Sequence, residues 1–509
     1  MNRLHPLSIP YRIAQQGIGV ALAIVFVGVP TIGEFLGPLG GFGAVGLAGL
    51  FLAAVIGYGV AYYRRFEYDL TADTFDIESG VFARREREIP LRRIQNVDIS
   101  QNVVQRVLDI AEVRLETAGG STSEAQLRYV GTAEAERLQT EISRLNRAAG
   151  SEGDATADES DRFETIFAIS PRELGVLALV SMDFRAASLL FFGASIFAPS
   201  AMSFTDGEFV IGPEGLITAA LGPVAGIALV ILFGLASGVL DAARYYGFTL
   251  RRGSEELRYE RGLLQRFSGT IPLGKIQTLS IRENALARAL GYAALYIETA
   301  GGAATQQSTD GSQSAVPIAE SDRVYGLARD LEPFGSADFE RPPRRARERY
   351  AARYAIVLAA LAALLFLGAE VLDRRLYWYL PLAALVFVPV AAHLKWKHRG
   401  YALHEDHVVT RNGFWVRETK VVPYHRVQTV IGSQTVFQRR RRLATVAIDT
   451  AGSRSLAGND PQAVDIDAET AQRVRERVAD SLYDSLADRR RAGLAERRFE
   501  NDRFGELSD

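Results

Sequence analysis

Forty consecutive residues recur three times in this chain without a gap. The first copy runs from Gly80-Val81-Phe82 through Pro90-Leu91-Arg92-Arg93-Ile94-Gln95 to Glu116-Thr117-Ala118-Gly119. The second runs from Gly262-Leu263-Leu264 through Pro272-Leu273-Gly274-Lys275-Ile276-Gln277 to Glu298-Thr299-Ala300-Gly301. The third runs from Gly413-Phe414-Trp415 through Pro423-Tyr424-His425-Arg426-Val427-Gln428 to Asp449-Thr450-Ala451-Gly452. Glycine to proline is ten residues each time, proline to glutamine five, and glutamine to threonine 22. Such self-similarity means one small fold made three times. Tyr68, Tyr246 and Tyr401 open the copies. On that alignment the second copy has four extra residues around Gly253-Ser254-Glu255-Glu256, expected in a longer hairpin turn.

Within the first copy, residues 68–71 and 74–79 alternate apolar and polar, the signature of a half-buried strand. Further strands are expected at 88–91, 95–100, 113–117 and 126–130. Pro90 suits an edge strand or a strand start. Val103, Val104, Val107 and Leu108 change to helical spacing. A closing helix begins at Thr132 and carries Leu138, Ile142 and Leu145 on one face. The other copies close the same way, from Asp322 and from Ala468. Period two, continued through the motif, would put Arg93, Lys275 and Arg426 on the strand face of Gln95, Gln277 and Gln428.

Between the copies lie long apolar runs. A helix needs about 20 mainly apolar residues to cross a bilayer core. Three pairs meet that length: 15–36 with 40–62, 186–204 with 216–240, and 352–372 with 376–394. Asp183 and Arg185 interrupt the run 174–197, so 174–182 is expected as a separate interfacial helix. Ser170-Pro171-Arg172-Glu173 reads as its capping box, with proline in the first turn. Residues 1–13 lead into the first anchor and do not read as a cleaved signal. Arg3, Arg12, Arg64, Arg65, Arg244, Arg344, Arg345, Arg347, Arg349, Lys395, Lys397 and Arg399 flank the long polar parts. Positive residues stay inside, so both termini and the soluble parts are expected in the cytoplasm of a multi-pass plasma-membrane protein. Arg374 and Arg375 vote the other way. No ionisable residue sits in the middle of a span, which argues against a transporter's charge relay.

The expected organisation is a membrane hairpin at 1–66, a soluble repeat at 67–148, and an acidic linker at 149–169. An interfacial helix and second hairpin follow at 170–244, then a second repeat at 245–334 and an Arg-rich linker at 335–351. The third hairpin occupies 352–396, the third repeat 397–489, and a polar tail 490–509.

The formal net charge is −2, so no global field calls for nucleic acid. There is no cysteine, which excludes disulfides, thiolate metal sites and cysteine nucleophiles. Lys275, Lys395, Lys397 and Lys420 are the only lysines, and the arginine-rich, acid-rich balance would suit a salt-adapted prokaryote. Gly41-Phe42-Gly43-Ala44-Val45-Gly46 matches a dinucleotide fingerprint by letter. No strand precedes it, and small residues there suit helix packing. His404-Glu405-Asp406-His407 falls on a hairpin turn and is read as solvated rather than as a metal site. No catalytic, cofactor-binding or metal motif appears.

A membrane hairpin, a Tyr-x-Leu-Thr start, a Gly-aromatic turn, Pro-x-x-Arg-Ile-Gln-x-Val and a Thr-Ala-Gly-Gly strand end resemble the membrane-flanked bacterial PH-like domain family. The resemblance implies that each repeat is a PH-like antiparallel β-barrel with a C-terminal α-helix; with the three apolar pairs, the expected fold is three such domains beside a six-helix membrane region. The third copy departs from the pattern at His404 and Ser453.

Gly80, Pro90, Gln95, Thr117, Gly262, Pro272, Gln277, Thr299, Gly413, Pro423, Gln428 and Thr450 define the repeat, and a building role is expected for them. The glutamines are expected as buried amides that satisfy loop backbone groups. Candidate contacts with lipid phosphate or a partner are Arg93, Lys275, Arg426 and the run Arg439, Arg440, Arg441 and Arg442, which could attract anionic headgroups. The expected function is a non-enzymatic membrane scaffold whose repeats bind lipid headgroups, one another or a protein partner; a homo-oligomer is a further expected association. Alternatives are a component or regulator of a transport or export system, and a membrane enzyme whose site carries no recognisable motif.

Overall fold

The computed structural model describes residues 2–11, 13, 38–117, 125–150, 163–183, 213–300, 312–335, 338–371, 378–451, 460–485 and 487. The expected spans 15–36 and 186–204, most of the acidic linker, the strand-end glycines and the tail 490–509 lie outside them. The chain forms two compact units. One comprises Met1–Ala168, Ala243–Gly274 and Gly301–Ala303; the other comprises Ile169–Ala242, Lys275–Ala300 and Ala304–Asp509. The division passes through the second repeat.

In the first unit, β1 (Asn2–Arg3), β2 (Glu67–Leu70), β3 (Thr74–Ser79) and β4 (Arg85–Pro90) form an antiparallel sheet in that order. Helix α1 (Pro38–Arg64) precedes β2. Period-two patterning works as read: Phe75 and Ile77 are buried while Asp76 and Glu78 are less so. A 3-10 turn, Leu91–Arg93, then redirects the chain into β5 (Ile94–Gln101). Pro90 therefore ends a strand rather than starting one, and that strand, β4, lies at a sheet edge, the other setting expected for it. Arg93 sits in the turn and not on the strand that carries Gln95, because β5 begins only at Ile94. The same turn recurs at Leu273–Lys275 and Tyr424–Arg426.

Helix α2 (Val103–Val107) follows, capped by Asn102, and then β6 (Ile110–Thr117) and β7 (Ala125–Gly131). Amphipathic α3 (Thr132–Gly150) closes the repeat. Its Ala135, Leu138 and Ile142 share one core with Phe75, Leu91, Ile94, Leu115 and Leu127.

The second repeat begins in the same unit with β8 (Glu164–Ala168), β9 (Thr249–Arg252), β10 (Glu256–Arg261) and β11 (Arg266–Pro272). Its first hairpin pairs Leu257 with Arg252, as the first repeat pairs Phe75 with Leu70. Both turns have the same length, so there is no four-residue insertion. The residue matching Tyr68 is Leu250, and Tyr246 lies upstream of the sheet. Expected separate barrels give way to a shared sheet in the order β7-β6-β5-β11-β10-β9-β8. Backbone groups on the outer edge of β5 need partners, and the next repeat supplies them: Arg266 pairs with Gln101, Phe267 with Ser100 and Ser268 with Ile99.

The second unit repeats this join. Its elements are α4 (Pro171–Val180), α5 (Pro213–Tyr245), β12 (Ile276–Asn284), α6 (Ala285–Leu290), β13 (Tyr292–Thr299), β14 (Ser312–Glu320) and α7 (Ser321–Leu331). The third repeat adds α8 (Arg344–Val371), α9 (Leu380–Ala383), α10 (Val388–Lys397), β15 (Gly400–Leu403), β16 (His407–Asn412) and β17 (Val416–Pro423). It ends with β18 (Val427–Ser433), α11 (Val436–Arg439), β19 (Leu443–Thr450), β20 (Gln462–Asp467) and a helix α12 over 468–485. One sheet runs β14-β13-β12-β17-β16-β15 and the other β18-β19-β20. Glu283 pairs with Arg417 and Arg282 with Glu418, in the register that joins β5 to β11 one repeat earlier.

The capping box on α4 is present: Glu173 N donates to Ser170 Oγ, and Ser170 N donates to Glu173 Oε2 at 2.7 Å. This helix packs tightly on α5. A Cβ on Gly238 would lie 2.1 Å from the Ala178 carbonyl oxygen. Among the described residues three helical stretches are long and apolar enough to cross a membrane: Gly226–Tyr245, Arg344–Val371 and Leu380–Lys397. Six were expected. The range 40–62 falls inside α1, 216–240 inside α5 and 352–372 largely inside α8. Pro381 and Pro389, each at a helix start, divide the last stretch into α9, a 3-10 turn and α10.

Candidate membrane-contact site

Each repeat turns between its second and third strands on the recurring glycine. Gly80, Gly262 and Gly413 have φ of +117°, +109° and +121°, where L side chains are strained. A Cβ there would also lie within 1.9 Å of a carbonyl oxygen: those of Ala83, Gln265 and Val416. This sharp turn pushes apolar side chains outward. Phe82 is 94% exposed and Trp415 67%, and Leu263 and Leu264 are also exposed. Large apolar groups grouped in water mark a contact surface.

The first two tips sit at the feet of apolar helices. In the first repeat Phe82 stacks on Tyr58 of α1 at 6.1 Å between ring centroids, and Arg65 donates to the Val81 carbonyl at 3.1 Å. In the second repeat Gly262 N donates to the Tyr246 carbonyl at 2.9 Å, and Leu263 N to the Ala243 carbonyl at 2.8 Å. The short helices line up beside the tips. Arg106 of α2 donates to the carbonyls of Leu263 at 2.6 Å and Leu264 at 3.3 Å. In the second unit Asn284, which caps α6, pairs with Val416 beside Trp415. Val103, Val104, Val107, Leu286, Leu290, Val436 and Phe437 are exposed on these short helices.

The run Arg439–Arg442 begins at the last residue of α11 and adjoins the foot of α8. Arg345 donates to the carbonyls of Arg441 at 2.8 Å and Arg442 at 3.2 Å, and Arg441 Nη1 donates to Glu348 at 2.6 Å. Arg441 is thus held by the helix, whereas Arg439, Arg440 and Arg442 remain exposed. A buried carboxylate anchors the same corner. Asp465, fully buried at φ +60°, accepts from Arg349, from Arg399 at 3.0 Å and from Gln438 at 2.8 Å. Two arginines and an amide make burial of this charge tolerable.

The other expected contact residues lie elsewhere. Arg93 is exposed, Lys275 and Arg426 are half-buried, and all three end the 3-10 turns rather than joining the tips. Burial pushes the Lys275 ammonium below its ordinary range. Gln277 is buried and donates to the Lys275 carbonyl at 3.3 Å. Gln428 differs from that expectation: it is exposed, on a strand whose outer edge is unpaired among the described residues. The Gln95 side chain lies outside the described set. Thr117, Thr299 and Thr450 are buried. His404 turns the chain as read, but His407 is buried and lies 3.4 Å from Glu332, so that end of the turn is not solvated. The tips were the missed feature. Their signal was available, since a glycine followed by two apolar residues occupies the same turn in all three copies.

Comparison with known proteins agrees with this architecture. The model of the bacterial PH domain matches residues 21–146, 202–331 and 354–482, so each match takes in apolar sequence upstream of a soluble repeat. The UPF0699 transmembrane protein YdbT of Bacillus subtilis (strain 168) is 26% identical over 475 residues, covering 89% of this chain and 93% of the relative. The UPF0699 transmembrane protein YdbS of the same organism is 33% identical over 85 residues, covering 17% of this chain and 52% of the relative. With tandem matches over most of its length and apolar helices between its sheets, this chain is a transmembrane member of the bacterial PH domain family.

Proposed function

We propose that this protein is a non-catalytic integral membrane scaffold that holds three PH-like repeats against the cytoplasmic face, tips toward anionic lipid. The carrying observation is the placement of exposed apolar tips at the feet of apolar helices, with Phe82 stacked on Tyr58 and Leu263 bonded to Ala243. A tip at that level puts its apolar side chains at the hydrocarbon boundary. Arg439, Arg440 and Arg442, beside the foot of α8, are exposed where anionic headgroups would lie, each contributing roughly 1 kcal/mol near an anionic surface.

Strand pairing supports the hairpin topology. Before each membrane segment, a residue pairs with the first strand after it: Arg3 with Glu67, Glu164 with Arg252, and Glu340 with Tyr401. Hydrogen-bonded strands share one side of a membrane, so each intervening segment crosses an even number of times. Two crossings per segment fit the apolar lengths.

The test uses full-length protein in nanodiscs, with Trp378 and Trp396 replaced by Phe. Lipids brominated near the headgroup are expected to quench Trp415 strongly. Replacing Arg439, Arg440 and Arg442 with Ser is expected to weaken quenching in anionic but not neutral discs. A Trp415 emission that brominated lipid leaves unchanged and aqueous acrylamide quenches would contradict the reading.

A further inference from the structure

We infer that copies of this chain associate head to tail, the outer edge of β18 in one copy pairing antiparallel with the outer edge of β4 in the next. The two internal joins show what each edge accepts. The first strand after the 3-10 turn takes the third strand of the following repeat, as β5 takes β11 and β12 takes β17. Among the described residues two members of these sets are left at sheet edges. β18 ends the order β18-β19-β20, and β4 ends the order β1-β2-β3-β4. They are equivalent by position to the two halves of a join.

The recurring register assigns the pairs. Glu283 with Arg417 corresponds to Gln434 with Arg84, and Arg282 with Glu418 to Ser433 with Arg85. Ser280 with Lys420 corresponds to Ile431 with Arg87, and Leu279 with Val421 to Val430 with Glu88. Chemistry follows the register. Lys420 Nζ donates to Glu298 at 2.7 Å across the second join, and the equivalent residues are Arg87 and Asp449, again base and acid. Arg106 donates to the second tip across the first join, and its equivalent is the exposed Arg439, facing where Val81 and Phe82 of the next copy would stand.

Composition of the edges fits selective pairing. β18 is largely exposed and uncharged, while β4 alternates exposed Arg85, Glu86, Arg87 and Glu88. Charges on an edge suppress indiscriminate strand addition. They leave pairing to a partner that offers an acid in the right place. A heterologous contact of this kind propagates into rings or rows, according to whether its rotation closes. All copies keep one orientation in the membrane, since each internal join already does.

The test uses the absence of native cysteine. Full-length Ile431→Cys and full-length Arg87→Cys, carrying different tags, are co-expressed, and their membranes are oxidised. The expected product is a disulfide dimer joining the two tags, at least about tenfold above an Ile431→Cys and Asp69→Cys control, given that mispaired Cα positions cannot bridge. A second pair, Val430→Cys with Glu88→Cys, is expected to crosslink likewise and keeps the test usable if one variant does not accumulate. In that second pair, adding Arg87→Asp is expected to lower the yield, and adding Asp449→Arg as well to restore it. Yields no higher than the control in both pairs overturn the proposal. So do tail-to-tail dimers of Ile431→Cys as the main product, or an unchanged yield with Arg87→Asp.

Discussion

Glu116 bears the cost of joining the first repeat to the second. It is buried on β6, and burial beside Asp98 pushes its carboxyl up to about 8. Asp98 is raised too, chiefly by burial, though it accepts from Asn96 at 2.9 Å and from Tyr259 at 3.1 Å. An acid whose folded pKa lies above its unfolded value of about 4.3 favours the folded state fully below that pH, and the benefit is lost as pH rises toward 8. Glu116→Gln is therefore expected to leave stability nearly unchanged at pH 4 and to raise it by several kcal/mol, on the order of 5, at pH 8.5. Thermal unfolding of the purified protein at both values measures this; equal gains would show that the carboxyl titrates normally. In the second unit the corresponding join carries compensated charges instead. Arg417 makes a two-pronged bond to Glu283 at 2.7 and 2.8 Å, and Arg282 reaches Glu418 at 2.7 Å. Little of this could be read from sequence. Asp98 and Glu116 look like ordinary strand polar residues until a second repeat closes over them. Gly269 shows how near it comes: a Cβ there would meet Asp98 Oδ1 at 2.4 Å.

At the scale of elements, what was local was legible. The two-residue period found the strands of the first hairpin, and the Ser170–Glu173 box found α4. The 3-10 turn was missed because its three residues interrupt a period too briefly to register. The tip glycines were visible as a repeat, and the backbone explains them. Gly413→Ala would have to hold φ near +121° with its Cβ 1.7 Å from the Val416 carbonyl oxygen. The turn must open, with an expected loss of roughly 1–3 kcal/mol. Denaturant unfolding should show it, together with a shift of Trp415 emission as the tip moves. A variant with native stability and native emission would mean that the turn is not confined as described.

For the whole molecule, the unforeseen feature is the sharing of sheets. Edge pairing uses backbone groups that every residue carries, so no residue type announces it. The trace that does exist lies in contrast: β12 is nearly all buried while its equivalent β18 is nearly all exposed. Topology is open to direct test. Ser254→Cys, on the first hairpin turn of the second repeat, is expected to resist an impermeant maleimide in intact cells. Thr205→Cys, in the expected external turn, should react. The reverse pattern would invert the assigned orientation.

Successive repeats share one sheet in one register, and the architecture depends on that sharing. Paired cysteines measure this directly in a chain that has none of its own. Ile99→Cys with Ser268→Cys, and Ile281→Cys with Thr419→Cys, occupy equivalent positions in the two joins. Both pairs should form intramolecular disulfides on mild oxidation of the membrane-embedded protein. Partners moved one residue along, Phe267→Cys and Glu418→Cys, should form far less, because a one-residue shift turns side chains to opposite faces. Equal yields in and out of register, or none in either join, would mean that the repeats are separate domains and would contradict the shared sheets.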